Sequence, residues 1–80
     1  MKKQITNNLL EFRHRAGLLQ SDVATALGVV SSDSISHWEK GRSMPRLVNL
    51  FKLAHLYGVS RATLYSDLFK ATKPAEQLTP

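Results

Sequence analysis

Two short apolar patterns at helical spacing, separated by a glycine, constrain this chain more than any other feature. Within Gln20–Leu27, Val23, Ala24 and Leu27 recur about one turn apart and so share one face of a helix. Gly28 follows directly, in the position where a left-handed residue ends many helices. Downstream, Ile35 and Trp38 are three apart and form a second apolar stripe, with Ser31 or Ser32 available to cap its start and Gly41 to stop it. Small Ala24 allows the two helical backbones to cross closely.

This pattern predicts a helix-turn-helix whose second helix presents Ser32, Asp33, Ser36, His37 and Lys40 away from the apolar stripe. A helix that only had to be solvated would more often carry Glu, Lys and Ala there. Side chains of this kind, short and able to hydrogen-bond, suit a surface that reads something. Trp38 shares its stripe with Ile35 and is expected in the core rather than stacked on a ligand.

The rest of the chain supplies helices to pack around this unit. Ile5, Leu9, Phe12 and Ala16 predict helix one over 5–15, with Thr6 or Asn7 as its cap and Gly17 as its end. Helix two starts near Leu19 or Gln20 without a good capping residue, unless Ser21 takes that role, and helix three spans Ser32–Lys40. After the loop Gly41–Pro45, the residues Leu47, Leu50, Leu53, Ala54 and Tyr57 mark helix four, ended by Gly58. Ser60 caps a fifth helix running to about Phe69 or Lys70. Residues 1–4 read as a loose arm, 5–70 as one domain, and 71–80, with two prolines and no period, as a tail or truncated linker. No stretch alternates as a strand does, so the fold class is all-α, a compact five-helix bundle.

Composition narrows the function. Eleven Lys and Arg against six Asp and Glu give a formal charge of +5, which suits a polyanionic partner. Lys40, Arg42 and Arg46 gather in and beside the loop after helix three, where a basic group can hold phosphates. There is no cysteine, and no apolar run follows Lys2 and Lys3, so the expectation is a cytoplasmic protein without a membrane span. His14, His37 and His55 share no metal-ligand spacing, and no cofactor or small-molecule substrate is implied. Ser31, Ser32, Ser34 and Ser36 lack a partner base and acid, and there is no Gly-rich phosphate loop, so an enzyme is not expected.

Phe12-Arg13, Gly17-Leu18, Gln20, Val23-Ala24, Leu27-Gly28, Ile35-Ser36, Trp38-Glu39, Gly41, Pro45, Leu50, Lys52-Leu53-Ala54 and Gly58-Val59-Ser60 carry a resemblance. Over about residues 5 to 69 the chain resembles the Cro and phage-repressor (lambda-repressor-like) helix-turn-helix family. The resemblance implies a transcriptional regulator that binds double-stranded DNA as a two-fold dimer, with helix three in the major groove. It puts Ser32, Asp33 and His37 at base edges, with Ser36 beside them on the reading face and toward the backbone. It puts Gln20, Lys40, Arg42, Ser43 and Arg46 on phosphates, and pairs Arg13 with Glu39 between helix one and the end of helix three.

Six residues separate Gly28 from Ile35, one more than in the family pattern, so either the start of helix three shifts or the turn bulges. The reading face also lacks the Arg or Gln that makes strong bidentate base contacts. These two departures motivate an alternative, a protein-interaction module on the same fold. Tyr65, Leu68 and Phe69 cannot all turn inward in so small a fold and predict a contact surface for a homodimer.

Overall fold

A computed structural model of the protein describes residues 4–71. Their order is α1 (Leu9–Arg15), α2 (Gln20–Leu27), α3 (Ser32–Glu39), α4 (Leu47–Tyr57), α5 (Arg61–Leu64) and α6 (Ser66–Ala71). There is no strand among the described residues. The core is Leu9 from α1, Val23, Ala24 and Leu27 from α2, Ile35 and Trp38 from α3, Leu53 from α4, and the consecutive pair Leu64 and Tyr65. The two stripes expected across the helix-turn-helix are therefore the centre of the molecule. The expected arm and tail, apart from Gln4 and Ala71, lie outside the described residues.

The ends of α2 and α3 follow the capping chemistry expected of them, with one substitution of means. Gly28 adopts φ 74°, and the N–H groups of Gly28 and Val29 turn back onto the carbonyls of Thr25 and Ala24. At the start of α2 it is Asp22, not Ser21, that helps: its carboxylate accepts the backbone N–H of Leu19 at 2.8 Å. At α3 the choice between two serines falls to Ser31, whose hydroxyl accepts from the N–H of Asp33 at 3.0 Å. Within the lengthened turn Val30 is fully exposed, and α3 begins at Ser32.

Helix one is shorter than its periodicity suggests. It begins at Leu9, because the preceding residues bond to other helices instead of to their own turn. The Ile5 N–H donates to the carbonyl of Gly41 at 2.8 Å, and Asn7 Nδ2 donates to the carbonyl of Trp38 at 2.9 Å. Asn7 Oδ1 accepts from the Leu9 N–H at 3.0 Å and so caps α1. Asn8 reaches the other end of the chain: its N–H donates to Leu64 O and its Nδ2 to Thr63 O, each at 2.8 Å. Residues 5–8 thus form a strap that donates to carbonyls at and just beyond the ends of α3 and α5. Ala16, placed in the stripe by spacing, is exposed.

The expected fifth helix is two helices. Ser60 caps the first as anticipated, its hydroxyl accepting the Thr63 N–H at 3.1 Å, but Tyr65 leaves helical geometry at φ −125°, ψ 53°. Consecutive side chains on a straight helix point about 100° apart. The break lets Leu64 and Tyr65 both enter the core. Tyr65 is 1% exposed, which corrects its expected place on an exposed strip; Leu68 and Phe69 remain half-exposed on α6. On α4, Leu47 likewise turns outward instead of joining the stripe.

The predicted ion pair is the clamp of the fold. Arg13 Nε donates to Glu39 Oε2 at 2.6 Å and its terminal nitrogen to Oε1 at 3.2 Å, with side-chain exposures of only 9% and 5%. A further Arg13 nitrogen donates to the carbonyl of Leu18 at 2.8 Å, and Gln20 Nε2 donates to Glu39 Oε1 at 3.0 Å. The end of α1, the start of α2 and the end of α3 meet at these two charged groups. The hydrogen bond that Arg13 donates to Glu39 holds the guanidinium above its ordinary pKa, against burial, which acts the other way. Tyr57 of α4 lies close enough to feel the pair: its phenol is pushed up to about 12, chiefly by burial, with the Glu39 charge adding and Arg13 opposing.

Two outcomes follow for stability. Arg13→Ala leaves a buried, half-partnered carboxylate and should cost roughly 3–5 kcal/mol in urea denaturation. The Arg13→Ala/Glu39→Ala double variant should lose clearly less than the sum of the singles, because the second change removes the stranded charge. At Gly41 (φ +75°) an added Cβ would collide with the Ile5 carbonyl, whereas at Gly28 (φ +74°) it would meet open space. Gly41→Ala should therefore lower the melting temperature by about 10 °C or more and Gly28→Ala by distinctly less, only the backbone strain of about 1–3 kcal/mol being common to both.

Candidate nucleic-acid interface

With Ile35 and Trp38 buried against α2, the opposite side of α3 is forced outward. Asp33 and His37 are exposed, and Ser32 and Ser36 are half-buried beside them. All four expected reading residues therefore lie on the helix that the clamp orients. Asp33 is the carboxylate of that set and sits in the first turn, where the free N–H groups of the helix favour a negative charge.

The loop that follows is pinned by its backbone and open in its side chains. The N–H of Gly41 donates to Trp38 O and that of Arg42 to His37 O at 2.9 Å, and Pro45 is buried. Lys40, Arg42, Ser43 and Arg46 are all exposed. Among the described residues no carboxylate pairs with Lys40, Arg42 or Arg46; the ion pairs there are Arg13–Glu39 and Arg15–Glu11. Three cations without a carboxylate partner thus stand exposed beside the polar face of α3.

Gln20 stands apart from these. The expected phosphate-contacting side chain donates one of its amide protons to Glu39, so it belongs to the clamp. An amide nitrogen has two protons, and the second is left for a ligand at the start of α2.

Sequence reasoning missed the strap residues Asn7 and Asn8 and the Lys52 ammonium, which donates to the carbonyl of Leu27 at 3.1 Å. Asn7 had been read only as a cap; a second Asn directly before the apolar run was the available sign of a wider role. Lys52 matches the family pattern by position, and its bond closes the end of α2 onto α4. Neither Tyr57 nor Tyr65 finds a hydrogen-bond partner for its buried hydroxyl among the described residues.

Comparison with known proteins bears on the fold as a whole. A family model described as helix-turn-helix matches residues 9–64, from the first residue of α1 to the last of α5. An uncharacterized HTH-type transcriptional regulator, y4dJ of Sinorhizobium fredii (strain NBRC 101917 / NGR234), is 34% identical over 64 residues, covering 80% of this chain and 82% of the relative. No described helix is long and apolar enough to cross a membrane. On its buried crossing of α2 and α3, its outward polar face and this match across most of its length, the chain belongs to the Cro/C1-type helix-turn-helix family of DNA-binding transcription regulators.

Proposed function

We propose that the protein is a sequence-specific repressor that acts in the cytoplasm by docking α3 in the major groove of duplex DNA. The observation that carries this reading is the continuity of two surfaces: the polar face Ser32, Asp33, Ser36 and His37, and the unpaired cations Lys40, Arg42 and Arg46 beside it. An eight-residue helix is about 12 Å long, comparable with the width of the major groove. Bound there, the protein excludes other proteins from the same stretch of DNA.

The roles divide by chemistry. Asp33 accepts from a cytosine amino group, and His37, Ser32 and Ser36 donate to or accept from base edges. Lys40, Arg42, Ser43 and Arg46 hold phosphates on one side of the groove, and the second amide proton of Gln20 meets a phosphate at the start of α2. Exposed Leu68 and Phe69 on α6 supply the contact for a homodimer, which then reads half-sites about 34 Å apart. Tyr65, being core, takes no part in that contact.

Substituting Arg42 by Ala should weaken binding to all duplexes alike and reduce the slope of log affinity against log salt by about one unit. His37→Ala and Asp33→Ala should instead change which sequences are retained from a random duplex pool, each altering preference at its own position by about 1–3 kcal/mol. Unchanged preference in both variants would remove α3 from the groove. Recovery of a two-fold motif from the same selection, with a dimer in sedimentation, tests the symmetric arrangement.

A further inference from the structure

We infer that the groove between the end of α2 and the outer face of α4 is a docking site for an acidic amphipathic helix of a partner protein. Val48 and Phe51, 59% and 49% exposed, stand three apart on α4, and Ala26 and Leu56 continue the apolar lining. Large apolar side chains exposed singly are ordinary on a protein surface; grouped in a groove they mark a contact. This groove lies on the α2–α4 side of the molecule, and none of its lining residues belongs to the polar face of α3 or to the loop 40–46.

The rim gives the chemistry of the occupant. Lys52 and His55 border the groove, and the Arg61 guanidinium lies 4.4 Å from the centroid of the Phe51 ring. Among the described residues no carboxylate lines it. Arg61, though stacked on Phe51, is exposed, and its guanidinium has five N–H donors to offer a carboxylate. A second copy docked face to face would set Lys52 and Arg61 against like charges, since a two-fold contact opposes each patch to itself. A helix with an apolar ridge and Glu or Asp on its flanks meets both features at once: its ridge covers Val48 and Phe51, and its carboxylates reach Lys52 and Arg61.

The test is a titration of the isotope-labelled full chain with a synthetic peptide of about four helical turns, carrying Leu and Phe on one stripe and Glu on its flanks. A second peptide has Lys in place of Glu. The expected result is saturable amide shifts confined to the surroundings of Ala26, Val48, Phe51, His55 and Leu56, with no binding of the Lys peptide. Phe51→Ala should weaken binding about ten-fold, and Val48→Lys should weaken it similarly although it adds positive charge. Both positions are half-exposed, so thermal melts of the two variants should stay close to that of the parent. Shifts centred on Lys40–Arg46, equal binding of the Lys peptide, or indifference to both substitutions would overturn the proposal. So would dissociation of a dimer by either variant in sedimentation, which would make the groove a contact between copies of this chain.

Discussion

Everything on the outer face of α3 depends on a charge pair at its inner end. Arg13 and Glu39 are nearly withdrawn from water, so each needs the other, and the surplus hydrogen-bonding capacity of each goes to a different element: Arg13 to the Leu18 carbonyl, Glu39 to the Gln20 amide. A purely apolar contact would hold α1 and α3 together but would permit sliding. A forked guanidinium facing a carboxylate allows one geometry. The direction in which Ser36 and His37 point is thereby fixed from the inner side of the helix.

The surface around the outer face of α3 shows an economy of charge that follows from this division. The strongest cation–anion interaction is inside, where it orders helices, and the outer cations Lys40, Arg42 and Arg46 are left without internal partners. Pairing them on the surface would have added little stability, since exposed ion pairs contribute about 0–1 kcal/mol. Left unpaired, they keep their full charge for a polyanion. The backbone hydrogen bonds of Gly41 and Arg42 hold the loop that carries them in one conformation.

Legibility in the sequence tracked the range of the interactions. The stripes Val23-Ala24-Leu27 and Ile35-Trp38, the glycine after α2 and the Ser60 cap were readable because each is written within a turn or two of chain. Arg13–Glu39 was readable only through the family resemblance, being 26 residues apart. What escaped depends on tertiary contact. Ile5 has helical spacing to Leu9, yet its N–H finds the Gly41 carbonyl first. Tyr65 has the period of a surface residue on a continuous helix, and only the packing around Leu64 makes a break there favourable. Of the site, residue identities were legible as polar and basic types; the engagement of Gln20 by Glu39 was not, because an amide at a helix start serves a neighbouring carboxylate or a ligand equally well.

The Asn7–Asn8 strap has a consequence for how the molecule comes into being. Asn8 is made early, but the carbonyls it serves belong to Thr63 and Leu64, 55 and 56 residues later. During synthesis these two bonds of Asn8 therefore wait until α5 has left the ribosome, whereas Ile5 and Asn7 find Gly41 and Trp38 some twenty residues sooner. Helices of α2 and α3 can gather as soon as they emerge, since their contacts are local, whereas closure at Asn8 waits for nearly the whole described chain. The strap is thus fastened in two stages, at the end of α3 through Ile5 and Asn7 and then at α5 through Asn8.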